Sequence, residues 1–536
     1  GDVWIANDVT GRRKHITWQR FAGGLHEPMG LRVVDGQIVV FDRNGLVTLR
    51  DRDRNGEADF YANLCNLPAQ TAETREFAMG FELKPGGGFF LSKGGQVHGP
   101  RGKLNGTILE VSADGKTMKV IATGLRQPFL GVDPVSGLLT ASDQQGHWVP
   151  STPLHVIKPG SYYGFQPVRL GPKANEGRTI NEPPLWIPHF VNQSGARQVW
   201  LRNARMGTLN DSLVHVGYNQ PALFRIYLDA HGQQGAVAPL LTGFPTGLLS
   251  GRVNPVDGRL YVGGFNLWGT TGKKIQGLYR IRPTGKPSSL PSTVRAFKEG
   301  VVLRFDHPLG HDHATSMSRY SVDRWNYQRT ADYGSGHFRP DGSPGQEPLA
   351  ISCIYISEDH QSVFLGIPGM KPIHSLRITC RLESRSAQSV YLSIKALIPI
   401  NLTKLGFEET EVHLTPATIA ADAPREKPTA ERGRQIATTY GCLACHSTDG
   451  TKKVAEDPSL VIGPTWKGLF QSERTLVDGS TRRADESYLR ESILYPAKRV
   501  TRGFETRKTG VGMPPYLGVL NEDQVASLIL YLKSLR

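Results

Sequence analysis

Along the first half of the chain, apolar residues come in short alternating runs separated by glycine turns, not at the three-to-four spacing of an amphipathic helix. A glycine-led strand, a turn such as Asp-Gly or Pro-Gly, and a second apolar strand make up one unit. The unit stands at residues 30–40, 80–86, 131–140 and 251–262, with a weaker copy at 195–201. Its leading glycines Gly30, Gly80, Gly131 and Gly251 are 50, 51 and 120 positions apart. That spacing suits one blade of about 40 to 50 residues, with two blades in the long gap. It predicts a β-propeller over residues 1–285, six-bladed, whose N-terminal strand closes the ring beside residues 277–281. A stack of sandwich domains is the competing arrangement.

Alternation resumes after a Pro/Ser-rich linker at 286–293, in six short runs between residues 300 and 394. Strands of that length and spacing predict a small antiparallel β-sandwich, Ig/fibronectin-like, over 294–415, acting as a spacer. Past a second linker at 421–428 the period changes. Thr429 can cap a helix whose apolar face holds Ala430, Gly433, Ile436 and Ala437. Glu522 and Asp523 open another, with Val525, Leu528, Ile529, Leu532 and Leu535 as its stripe. The last unit, 428–536, is expected to be all-α, so the chain is multidomain.

Composition agrees with a turn-rich β protein: of 536 residues 60 are Gly and 36 Pro. No apolar run approaches the ~18 residues a spanning helix needs. The net charge of +15 is spread in doublets such as Arg12-Arg13, Lys273-Lys274 and Arg482-Arg483. No basic helix, zinc finger or aromatic platform accompanies it, so nucleic acid is excluded as a partner. An acidic redox partner or substrate suits such a surface.

The chemistry concentrates at residues 441–446, where Cys442, Cys445 and His446 form a C-x-x-C-H box. Two thiols at this spacing can each add to a vinyl group of one haem, while the adjacent imidazole becomes an axial ligand. A zinc site would need a second ligand pair, and no Cys or His follows His446. Met513, in Gly-Met-Pro-Pro, is the only methionine beyond the box, and its thioether on a proline-stiffened loop suits the sixth coordination position. Pro464, within 462–466, is expected to offer a carbonyl to the His446 ring N–H. Trp466, Tyr495 and Arg499 are candidates for the haem propionates. With both axial positions taken, such an iron passes electrons and does not activate oxygen. Covalent haem attachment in bacteria takes place outside the cytoplasmic membrane, which predicts a periplasmic or otherwise exported protein whose leader is absent from this form.

Other residues carry alternatives. Asp51, Asp53, Asn55 and Asp59 around Gly56 read either as the first half of a calcium loop or as a polar hairpin turn whose acids are neutralised by Arg52 and Arg54. Cys353 and Cys380 form either a disulfide or two buried thiols, and Cys65 is structural. His307, His311 and His313 make an exposed polar loop in preference to a metal site.

The last 110 or so residues resemble a class I c-type cytochrome, through Gly433, the haem box, Gly463-Pro464 and Met513. Residues 1–285 resemble the soluble quinoprotein sugar (glucose) dehydrogenase and sorbosone dehydrogenase propellers. The whole order is similar to haem-bearing dehydrogenase-like proteins of Planctomycetes and Verrucomicrobia. In the sugar dehydrogenases an Arg-Asn-Pro loop touches pyrroloquinoline quinone, and its counterpart is Arg126-Gln127-Pro128. Their calcium-binding loop is matched by residues 162–165. Where they carry an Asp-His pair as base, this chain has residues 92–98, ending in a displaced His98. The resemblance implies oxidation of a sugar or alcohol at the propeller, with His98 or His147 as base, Arg126, Lys93 and Arg197 as anion-stabilising cations, and haem c as electron outlet. The alternative is a non-catalytic electron-transfer cytochrome whose propeller binds a partner protein or glycan.

Overall fold

In the computed structural model the described residues are 1–9, 16–68, 75–95, 102–167, 170–171, 173–266, 269–382, 387–414, 427–454, 461–505 and 512–535. Five antiparallel sheets follow one another from Gly30 to Ile281, and in each the strands pair in chain order. Among the described residues four of them have four strands or more: the second is extended at its outer edge by the parallel strand Ser161–Tyr162, which in the chain falls between the last two strands of the third, and the fifth has three strands. The first strands Gly30–Val34, Gly80–Leu83, Phe129–Val132, Gly195–Trp200 and Ser250–Val253 lie side by side in that order.

The repeated glycines explain this closeness. A Cβ on Gly30 would stand 2.6 Å from the Phe81 Cβ of the next sheet, and one on Gly131 would stand 2.7 Å from the Gln198 Cβ of the sheet after. The repeat read in the sequence thus marks the inner strands, where neighbouring backbones approach too closely for a side chain.

The N-terminal strand does not lie beside residues 277–281. Val3–Asn7 pairs with Thr17–Ala22 instead, and Gln276–Ile281 pairs with Leu260–Phe265. The reason is apolar: Val3, Ala22 and Leu25 are buried against Val40, Leu49 and Ala58 of the first sheet.

Beyond Leu290 two further layers share one core. Thr293–Phe297, Gly300–Arg304, Ser362–Gly366 and Cys353–Ile356 form one sheet. Its Val301, Leu303, Val363 and Leu365 pack on Val322, Ile378 and Leu392 of the other. That other layer is not separate from the sheets before it. Gln388–Ile394 pairs antiparallel with Gln234–Thr242, making a continuous eight-stranded sheet. Ala236 and Ala238 accordingly lie in the shared core.

Cys353 and Cys380 sit in different layers, and all five cysteines are free, so the disulfide alternative is not realised. Cys65 is buried in Phe60–Cys65. His311 and His313 belong to a single exposed helical turn, while His307 Nδ1 is 2.7 Å from Asp306 Oδ1.

The C-terminal region is built on the helices Ala430–Thr439, Glu486–Leu494 and Glu522–Ser534. Thr429 caps the first by accepting from Arg432 N at 3.1 Å, and Asn521 caps the last through a reciprocal box with Gln524. Two short hairpins, Lys453–Val454 with Val461–Gly463 and Glu473–Thr475 with Thr481–Arg483, mean that the region is not all-α as expected. Among the described residues no helix is long and apolar enough to cross a membrane.

Candidate functional site

Helix Ala430–Thr439 runs directly into Gly441, whose φ of 70° turns the chain so that Cys442–Ala444 forms a single 3-10 turn. Glycine takes this left-handed conformation without a Cβ penalty. The turn presents Cys442, Cys445 and His446 to one cavity. Burial keeps the Cys442 thiol protonated, pushing its pKa up to about 12. His446 Nδ1 lies 2.8 Å from the Pro464 carbonyl oxygen, to which it donates; the Nε2 lone pair is thereby left available to a metal. The ring stacks on Trp466 with centroids 5.0 Å apart, and burial holds its pKa below the usual histidine range, so the imidazole is neutral.

Met513 lines the same cavity and packs on the apolar cluster of the three helices. Tyr495, 46% exposed, also lines it, as does Arg499, which is 3.0 Å from Glu491 Oε1. Leu469, Ile493, Leu520 and Leu528 supply an apolar wall. Two thiols, a tautomer-fixed imidazole and a thioether facing an apolar cavity fit a covalently held haem in donor type and surroundings.

The cavity does not end at the haem residues. It measures about 2030 Å3 and is also lined by Arg126, Gln127, Gln144, Gln145, His147 and His189. Cofactor and ligand pockets commonly reach ~1,000 Å3, so one haem leaves ample room. The helical region is fastened here by polar clamps: Gln193 Nε2 donates to the Tyr440 carbonyl at 3.0 Å and Gln220 Nε2 to that of Thr439 at 3.2 Å. A Cβ on Gly269 would stand 2.6 Å from the Ala444 carbonyl oxygen, so the two backbones touch beside the haem box.

Among the cavity residues, Arg126 Nη1 donates to Gln144 Oε1 at 2.9 Å and to the Gln145 carbonyl at 2.6 Å. Its guanidinium lies 5.2 Å from the centroid of the Tyr333 ring. His147 Nδ1 donates to the Ala331 carbonyl at 2.8 Å, which leaves Nε2 as an acceptor. Burial, with Arg126 adding to it, lowers its pKa. Gln127 Oε1, Gln145 Oε1, His189 Nδ1 and Asn219 Oδ1 are buried without a hydrogen-bond partner, and their residues all line the cavity. Buried polar atoms left this way call for a partner such as an ordered water or ion.

Other expected residues fall elsewhere. His98 lies outside the described residues. Lys93 does not face the cavity; it is fully buried in an ion pair with Glu76 at 2.5 Å. Arg197 likewise pairs with Glu82 at 2.8 Å, inside the sheets. Of the three cations expected for an anionic quinone, only Arg126 lines the cavity. Residues 162–165 do not line it either: Tyr162 OH donates to Asn175 Oδ1, and Phe165 is core.

The calcium reading of the 51–59 turn finds no support. Asp51 accepts from the backbone N–H groups of Asn55 and Gly56, Asp53 from that of Asn55, and Asp59 pairs with Arg52 at 3.3 Å. Among the described residues no group of three or more His, Cys, Asp or Glu is placed to hold a metal ion.

Two contributors escaped the sequence reading. Asp143, fully buried, accepts from the backbone N–H groups of Arg126 (2.6 Å), Gln127 (2.6 Å) and Gln144 (2.8 Å), and so shapes the Arg-Gln-Pro loop. Its signal was present in the repeat: Asp42 and Asn266, at matching strand ends, accept from His26 N and Gly247 N before their own inner strands. Tyr333 comes from the segment expected to be a spacer, and nothing local in the sequence pointed to it.

Residues 430–536 match the cytochrome c family model, and that stretch is a cytochrome c domain following a mostly β region. No curated protein matches the chain in sequence. Among solved structures, the chain is similar to a glucose dehydrogenase, at 17% identity and a TM-score of 0.40 over 51% of this chain and 88% of that one. It is also similar to the soluble aldose sugar dehydrogenase of Escherichia coli in its apo-form, at 12% identity and a TM-score of 0.37 over 50% and 88%. A third is the PQQ-bound form of aldose sugar dehydrogenase from Streptomyces coelicolor, at 15% identity and a TM-score of 0.30 over 52% and 98%.

Proposed function

We propose that this chain is an exported haem c oxidoreductase that oxidises a sugar or alcohol against a six-bladed propeller and passes the electrons out singly through its cytochrome domain. One observation carries the reading: Arg126 and His147 share a single cavity with Cys442, Cys445, His446 and Met513. A cytochrome serving only as a shuttle has no need of a second polar set of residues lining the cavity of its haem residues.

Each residue has a defined task. His147, neutral and fixed by Ala331 through Nδ1, takes the substrate hydroxyl proton on Nε2. Arg126 stabilises the oxygen as negative charge develops on it. Cys442 and Cys445 would hold haem c covalently, and His446 and Met513 would ligate its iron; bound there, the group would supply one-electron transfer. The carbon-centred oxidation also needs a two-electron acceptor. A quinone cofactor of the class the sequence resemblance suggests, pyrroloquinoline quinone, would supply that chemistry, and of the three cations expected for it Arg126 alone lines the cavity. The +15 charge favours an acidic redox protein as the final acceptor, with a rate that falls as salt is added.

The test is anaerobic. The full-length haem-loaded protein is mixed with the quinone, calcium and a panel of sugars and primary alcohols, and haem reduction is followed by absorbance. Substrate-dependent reduction is expected, lowered by about 10²- to 10⁴-fold in His147→Ala. If no sugar or alcohol reduces a haem that dithionite reduces normally, the dehydrogenase reading fails. The shuttle whose propeller binds a partner or glycan then stands.

A further inference from the structure

The 21 residues between strands Tyr320–Trp325 and Glu347–Leu349 do not behave as a sandwich loop. They cross to the propeller and then to the cytochrome domain. On the propeller side, Trp148 N donates to the Thr330 carbonyl at 2.8 Å and Gly334 N to that of Gly146 at 3.1 Å, so His147 and Tyr333 form an antiparallel bridge. Arg329 anchors the crossing, donating to the Trp148 carbonyl and forking onto both Glu182 carboxylate oxygens at 2.9 Å. On the cytochrome side, His337 N donates to the Leu517 carbonyl at 3.0 Å.

Tyr333 stands at the junction. The Arg126 guanidinium lies 5.2 Å from its ring centroid and the His147 ring meets it edge-on at 5.8 Å. The base of its side chain presses on Gly512: a Cβ there would come within 2.6 Å of Tyr333 Cγ and 2.7 Å of its Cβ. Gly512 precedes Met513, and a Cβ on the neighbouring Gly334 would be 3.4 Å from Pro514. One aromatic ring therefore separates the propeller's candidate base and cation from the loop bearing the candidate sixth ligand.

We propose that Tyr333 is a positioning residue for Met513. Its ring, clamped between Arg126 and Gly512, sets where the Met-Pro-Pro loop sits, and through that loop the strength of axial ligation. The propeller thus tunes the haem that serves it. This rests on the reading of Met513 as the axial thioether.

The test uses the full-length haem-loaded protein and does not depend on substrate. Two readouts are taken: the reduction potential, by redox titration, and the charge-transfer band reporting sulfur ligation in the oxidised haem. Tyr333→Ala is expected to shift the potential and weaken the band, whereas Tyr333→Phe, which keeps the ring, leaves both as in wild type. Gly512→Ala, which drives a methyl group into the ring, is expected to shift both. A folded Tyr333→Ala protein with wild-type potential and band overturns the proposal. If Tyr333→Ala does not fold, an unshifted Gly512→Ala protein overturns it. Met513→Ala separates the two ideas: if it leaves the band unchanged, the ligand assignment has failed and the role of Tyr333 falls with it, whereas a band lost in Met513→Ala but unshifted in folded Tyr333→Ala overturns the role of Tyr333 alone.

Discussion

At the scale of single residues, Asp143 makes the sharpest demand. It is a buried carboxylate whose two oxygens serve three backbone N–H groups, and burial pushes its pKa up to about 6. In the unfolded chain the same group titrates near ~3.9. Between those pH values the folded chain keeps a proton that the unfolded chain has lost, so this group's contribution to stability falls as pH rises. A displacement of that size is worth roughly 3 kcal/mol. Urea midpoints of wild type and Asp143→Asn, compared from about pH 4 to pH 7, should show the wild-type advantage shrinking by roughly that amount. A difference independent of pH would rule the assignment out. The variant should also move Arg126, because an amide nitrogen would then face its backbone N–H. Asp143 shows the limit of reading residues singly: Cys442, Cys445, His446 and Met513 announce their chemistry by type and spacing, whereas Asp143 acts only through backbone geometry. Lys93 and Arg197 show the converse. Their charge suggested an anion site, but Glu76 and Glu82, distant in sequence, claim them.

At the scale of elements, the crossing of the first and last helices of the cytochrome domain governs the haem box. A Cβ on Gly433 would stand 2.1 Å from the Ser527 carbonyl oxygen, a backbone atom that cannot swing away. Gly433→Ala must therefore spread Ala430–Thr439 from Glu522–Ser534, and overpacking of this kind costs about 1–3 kcal/mol. The expected result is a lower melting temperature for the haem absorbance, with α-helical circular dichroism kept at low temperature. An unchanged melting curve would mean that the helices are not in this contact. Both helices were legible from their caps and apolar stripes, because those signals are local. The strand pairs Lys453–Val454 with Val461–Gly463 and Glu473–Thr475 with Thr481–Arg483 were not, since strands of two or three residues are too short to carry a period.

At the scale of the whole molecule, the eight-stranded sheet joins what the linker composition of 286–293 appeared to separate. Leu392 illustrates the join: it faces Ala236 across the ladder from Gln234–Thr242 and lies 1% exposed in the core shared by both layers. Strand pairing over such a sequence distance leaves no local mark, which is why the alternating runs gave the strands and not their partners. Leu392→Ala removes buried methyl groups at a cost of about 2–5 kcal/mol. If the layers were independent bodies, the loss would be confined to the region after Leu290. In a continuous sheet it spreads in both directions, because opening Gln388–Ile394 uncovers the edge of Gln234–Thr242. Hydrogen exchange should therefore accelerate in Ala222–Leu228, on the propeller side, as well as in Tyr320–Trp325. Acceleration in Tyr320–Trp325 alone would show two separately folding units. The joint response would instead mean that the segment carrying Tyr333 is held by the same sheet that supports the propeller wall, so its place between Arg126 and Gly512 is set by the architecture and not by a tether.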